Sequence, residues 1–133
     1  MQHSSTSSYR GFSFVEIMAV VIIIGILAGA VAIKFKDYID KSKVNRAKGD
    51  IATIITAVES YYADKGNYPT NDDGLDVLKI TTQNDPWGRG YQYNFPGRES
   101  DYDIICLGRD GMEGGSGIDG DINSWELGQS QEK

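Results

Sequence analysis

Gly11-Phe12-Ser13-Phe14-Val15-Glu16-Ile17-Met18-Ala19-Val20-Val21-Ile22-Ile23-Ile24-Gly25-Ile26-Leu27-Ala28-Gly29-Ala30-Val31-Ala32-Ile33 is the stretch that decides how the rest of this 133-residue chain is read. From Ile17 to Ile33 it runs 17 residues without a charge. That is about the minimum for a helix to cross ~30 Å of hydrocarbon. Glu16 stands just inside the N-terminal edge of the run. A carboxylate there is costly in lipid, so it marks a functional position whose partner has to be identified.

Three readings compete for residues 1–33. A cleaved secretory signal is supported by Ala28-Gly29-Ala30 and Ala30-Val31-Ala32, which fit a small-residue cleavage site. Against it stand a polar leader with Arg10 as its only basic residue and a glutamate opening the apolar run. A plain membrane anchor is the second reading. The third is a helix that is both anchor and assembly element, and the sequence that follows favours it. Val44, Ala47, Ile51, Ile54, Ile55, Val58, Tyr61 and Tyr62 recur at steps of three and four, the helix period. Gly49 is the only glycine or proline between Lys34 and Ala63. The pattern predicts one helix from Phe12 to about Ala63, roughly 78 Å long at 1.5 Å per residue. Residues 12–33 form its membrane half and residues 34–64 its amphipathic half. Lys65-Gly66-Asn67-Tyr68-Pro69 ends it with turn chemistry.

The formal net charge is −6, with no basic face of the kind that binds nucleic acid. Basic residues cluster at Lys34, Lys36, Lys41, Lys43, Arg46 and Lys48. By the positive-inside rule that cluster draws the C-terminal part to the cytoplasm. Residues 65–133 read as loops and short strands. Tyr91-Gln92-Tyr93-Asn94-Phe95 alternates aromatic and polar residues, Tyr102–Leu107 is a second strand, and Pro96–Ser100 is the turn between them. Asp73–Leu78 reads as a short helical turn. A sheet this small needs the helix to bury its apolar face, which gives an α+β class: a long N-terminal helix packed on a small antiparallel sheet. Leu107–Asp121 then holds six glycines and four acidic residues in fifteen positions. Glycines let backbone carbonyls turn inward and aspartates add hard oxygens, a combination that suits Ca²⁺. A solvated loop fits the same composition. The EF-hand template fails, because Ser124 and Ser130 stand where its glycine and its glutamate are needed.

The opening motif resembles the class III signal of type IV pilins and of the pseudopilins of type II secretion. Asp85-Pro86-Trp87-Gly88, Tyr91-Gln92-Tyr93, Leu107-Gly108, Asp110-Gly111, Glu113-Gly114-Gly115, Asp121-Ile122 and Trp125 are similar to segments of major pseudopilins in particular. The resemblance implies a type IV pilin-like fold with a calcium-binding loop at about 107–121. It implies a leader over residues 1–11, cut after Gly11 by a prepilin peptidase, and an N-methylated Phe12 as the mature terminus. Glu16 would then attract the Phe12 amine of a neighbouring subunit during assembly. The implied calcium ligands are the side chains of Asp110, Asp119 and Asp121 and the backbone carbonyls of Leu107, Met112 and Ser116. The register between Gly115 and Asp121 allows Ser116 and Asp119 to exchange roles. Further implied partners are other copies of the chain, minor pseudopilins, the inner-membrane assembly platform and membrane lipid.

The resemblance also reverses the charge-based orientation. It implies a single-pass inner-membrane protein whose C-terminal domain lies in the periplasm. The family often carries a proline where this chain has Ile33. Either Gly25 and Gly29 alone permit the helix to loosen, or it stays continuous. Catalysis is not expected, since the only histidine, His3, lies in the leader, and Cys106 has none to activate it. The main functional expectation is the major subunit of a secretion pseudopilus. The alternatives are a type IV pilus pilin and a membrane-anchored calcium-binding module that never polymerises.

Overall fold

The computed structural model describes residues 8–129. Helix α1 runs from Phe14 to Lys65 without interruption. Its first residue is Phe14 rather than the expected Phe12, because Ser13 caps it. It ends at Lys65 rather than Ala63, because Gly66 adopts φ 76° and donates its N–H to the Tyr62 carbonyl at 2.7 Å. That is the left-handed stop which glycine accepts and other residues resist. No break occurs at Gly25, Gly29 or Ile33, so in the single chain the helix stays continuous without a proline.

The chain divides into two compact units, residues 1–37 and 38–133. In the described part of the first, every residue is exposed, including Phe14 at 79% and Ile24 at 59%. It contains the window that makes α1 apolar and long enough to cross a membrane.

The second unit carries the core. Strands β1 (Gln92–Asn94), β2 (Asp103–Cys106) and β3 (Ile122–Asn123) form an antiparallel sheet in that order. Gln92 pairs with Ile105 and Ile105 with Asn123, so these three share a row on the outer face. Strand residues one step away turn inward. Ile104, Cys106 and Ile122 meet Ala47, Ile51, Ile54 and Val58 of α1 in one buried cluster with Tyr91 and Tyr102. The helix stripe spaced at three and four residues is thus the face that the sheet covers.

The first two strands and their connecting turn lie within the segments expected for them. Asp103, 2% exposed, accepts the N–H of Arg98 at 2.6 Å and of Ser100 at 3.3 Å and so closes that turn. The expected helical turn at 73–78 is a 3₁₀ turn over Asp76–Leu78. Two elements were not expected: β3, only two residues long, and helix α2 over Ser124–Gln129. Ser124 ties α2 to the sheet by accepting the Ile104 N–H at 3.0 Å.

Candidate functional site

The N-terminal motif holds its glutamate by local hydrogen bonds. Ser13 Oγ accepts the Glu16 N–H at 3.2 Å, and Glu16 Oε2 accepts the Ser13 N–H at 2.9 Å. This is a capping box: Ser-x-x-Glu satisfies two backbone donors at once. The positive end of the helix dipole favours a carboxylate at that place. Among the described residues no cation pairs with Glu16. Gly11 has open space around it, and Phe12 is 83% exposed, so the bond between them is accessible. Gly11, Phe12 and Glu16 therefore sit together at one helix end, as the motif anticipated. Ser13 is the member that sequence reasoning missed, although Ser-x-x-Glu before an apolar run is itself a readable start signal.

The glycine-rich loop begins where β2 ends and is built on two arginines and an aspartate. Asp85, 5% exposed, accepts the N–H of Trp87 and of Arg89 through Oδ1, each at 2.9 Å. Its own N–H donates to the Arg89 carbonyl at 2.7 Å, and its carbonyl accepts from Gly88 at 3.0 Å. The Asp-Pro-Trp-Gly-Arg segment is therefore a turn organised around one buried carboxylate. That turn aims Arg89 at the loop, where Nη1 donates to the carbonyls of Gly108 at 3.2 Å and Arg109 at 3.0 Å. The same carboxylate receives the Cys106 thiol at 3.6 Å. Burial, and the Asp85 carboxylate beside it, push that thiol up to about 11.

Within the loop, Gly108 at φ 67° and Gly115 at φ 85° lie against the backbone of Asp119 and Gly120. A Cβ on Gly108 would fall 2.7 Å from the Gly120 oxygen, and one on Gly115 would fall 2.6 Å from the Asp119 oxygen. The loop is folded tightly on itself at these two points. Asp110 Oδ1 accepts the Met112 N–H at 3.0 Å, and Asp121 Oδ2 accepts the Gly114 N–H at 2.8 Å. Asp121 Oδ1 is buried with no hydrogen-bond partner. Leu107 and Asp121 line one side of a groove of about 460 Å³ on the outer face of the sheet.

Asp119 behaves differently. Both of its oxygens accept from Arg109, Oδ1 from Nε and Oδ2 from Nη2, each at 2.8 Å. The paired carboxylate holds the Arg109 guanidinium above its ordinary value. Among the described residues no group of three or more acidic, histidine or cysteine side chains is gathered to hold a metal. The three loop aspartates are thus in one loop but not on one point. The donor chemistry nonetheless fits a hard cation: oxygen atoms throughout, one of them buried and unpartnered. Ser116 contributes its carbonyl to the Asp119 N–H at 3.3 Å. No structural role in this loop was anticipated for Arg89 or Arg109.

The family model for type II secretion system protein G matches residues 34–84 and 78–125. The model for the prokaryotic N-terminal methylation motif matches residues 6–32. Type II secretion system core protein G of Pseudomonas aeruginosa is 41% identical, with 87% of this chain and 94% of that protein aligned. The protein of the same name from Vibrio cholerae is 36% identical, covering 88% of this chain and 92% of that one. The crystal structure of the major pseudopilin from the type 2 secretion system of enterohaemorrhagic Escherichia coli superposes with a TM-score of 0.59. It is 31% identical and covers 69% of this chain and 90% of its own.

Proposed function

The chain belongs to the type II secretion system protein G family, and from that premise we propose that it is the major structural subunit of a pseudopilus, a filament that helps drive folded proteins across the outer membrane. The observation that carries this is the family match across residues 34–84 and 78–125, which takes in nearly all of the sheet-bearing unit. Its role is to polymerise, not to catalyse.

Assembly follows from two exposed features. The apolar surface from Phe12 through α1 to Phe35 has no cover within its own chain, so lipid covers it first and the helices of other copies cover it afterwards. Head-to-tail contacts between identical subunits that do not close generate a helical filament. Cleavage after Gly11 by the prepilin peptidase exposes the Phe12 amine, which is then methylated. In the apolar filament core an ammonium and a carboxylate each relieve the other's desolvation, whereas either alone is strongly unfavourable. The pair between Phe12 of one subunit and Glu16 of the next therefore fixes one stagger. The capping box keeps Glu16 at the helix end facing that amine. The chain crosses the inner membrane once, with residues 34–133 in the periplasm. There it meets minor pseudopilins and the assembly platform.

One experiment tests this reading. The mature protein should begin at methylated Phe12 by intact mass, and Glu16→Ala should abolish filaments while leaving the processed mass the same apart from the substitution. Intact leader, or filaments undiminished in Glu16→Ala, would overturn it.

The loop's part is proposed to be calcium binding. The ligands are the carboxylates of Asp110, Asp119 and Asp121 with the carbonyls of Leu107, Met112 and Ser116. The support is the hard-oxygen donor set and the buried, unpartnered Oδ1 of Asp121. When bound, the ion supplies a divalent charge that ties the loop together. By mass action, ten- to hundredfold excess calcium over its Kd stabilises the fold by about 1.4–2.7 kcal/mol. Thermal melting in calcium should lie several degrees above melting in chelator; coincident transitions would refute the site.

A further inference from the structure

We propose that Arg109 is the loop's own counter-cation and competes with a divalent ion for the carboxylate of Asp119, so that it sets how much ion the loop needs before it fills. This rests on the calcium reading above. Both Asp119 oxygens are engaged by the arginine fork at 2.8 Å, the strongest geometry a guanidinium offers a carboxylate. A metal ion and Arg109 cannot both have that carboxylate on these terms.

The backbone around Asp119 is pinned. Gly108 and Gly115 press on it from two points, and Arg109 itself donates its N–H to the Ile118 carbonyl at 3.0 Å. Exchange between the two cations is therefore a side-chain event within a held loop. The displaced guanidinium also has somewhere to go. Asp40 of α1 lies 4.0 Å from Nη1 of Arg109, within ion-pair reach. Asp121 supplies the contrast, since its Oδ1 is buried with no partner and no arginine guards it.

The competition makes Arg109 a specificity residue. Charge attraction doubles from a monovalent to a divalent ion at equal distance. The fork thus holds Asp119 against sodium or potassium and yields it to a divalent ion. Without an ion, it keeps the carboxylate neutralised in a loop that carries four acidic residues from Asp110 to Asp121.

The test uses the full chain in detergent, titrated with calcium chloride by calorimetry and melted in chelator. Arg109→Gln should bind calcium roughly two- to tenfold more tightly than the wild type, the range expected from losing one solvent-accessible ion pair and one positive charge. The same variant should melt lower than the wild type in chelator. Asp119→Asn should weaken calcium binding. Wild-type binding with an unchanged or weaker Arg109→Gln would overturn the proposal and leave the calcium site standing. Absence of binding in every protein would overturn both. If Arg109→Gln does not fold, Arg109→Lys decides: it keeps the charge, loses the fork, and should still bind more tightly than the wild type, while equal or weaker binding sinks the idea.

Discussion

Asp85 shows what a single side chain does here. It is 5% exposed, accepts two backbone N–H groups and a thiol, and sets the turn from which Arg89 reaches the loop. Truncation to alanine leaves a buried thiol and two half-buried backbone N–H groups unpaired. Asp85→Ala should cost about 2–4 kcal/mol, read as a lower denaturation midpoint. Asp85→Asn keeps an acceptor oxygen and should cost less than half as much. Equal losses in the two variants would mean that the acceptor is not what matters. In the sequence this segment was visible only as a block shared with a family, although an aspartate two residues before a backbone donor is a turn signal in its own right. Tyr91 and Tyr102 pack in the core, but their hydroxyl partners are not legible in the sequence. Tyr91 donates to Asp50 and Tyr102 to Glu59, each at 2.8 Å and across more than forty residues of chain. No local pattern encodes such a distance. The three loop aspartates are singled out only by the family resemblance, which does not say that Arg109 has already claimed one of them.

At the scale of elements, legibility followed length. The 52-residue helix and the segment around β1 carry periodicities strong enough to read, and β2 is a short apolar run beside a turn. Strand β3 has two residues, and α2 has six. Neither is long enough to show a period, and both are held by tertiary partners such as Ser124 on Ile104. The glycines of the loop are likewise of two kinds that the sequence does not separate. Gly108 at φ 67° sits against backbone, whereas Gly114 at φ 90° has open space around it. Any L-residue in the left-handed region costs about 1–2 kcal/mol. Gly114→Ala should therefore lose only about that much, while Gly108→Ala, whose Cβ would fall 2.7 Å from a carbonyl oxygen, should lose at least twice as much. Matched melting points for the two would show that the close approach relaxes freely.

For the whole molecule, stability should depend on pH at the alkaline end. Burial raises the Cys106 thiol from 9.0 to about 11 and the Tyr93 phenol from 10.0 to about 12. Tyr91 and Tyr102 are raised further, first by burial and then by the carboxylates that accept their hydrogen bonds. For groups raised on folding, the unfolded chain loses its protons first. Their contribution is complete below about pH 9 and is lost as pH rises through the folded values. Denaturant midpoints should be flat from pH 7 to 9 and fall steadily above it, and a flat profile to pH 11 would contradict the burial of these groups. The overall plan, a helix with a sheet laid on its C-terminal half, was legible because both halves state their periods. The filament was legible only through the motif around Glu16, since a single chain leaves its most apolar surface bare.

The two hydroxyl bonds from the sheet region to α1 have a mechanical consequence. Asp50 and Glu59 are nine residues apart, about 13 Å along the helix axis. A load carried by the helix between Asp50 and Glu59 therefore enters the sheet region at two anchorages side by side, with Ile51, Ile54 and Val58 seated between them. Attachments in parallel share a load, where attachments in series fail one after another. Within the unit 38–133 the sheet and its stretch of helix are fastened as one body, and the tyrosine hydroxyls are the rivets.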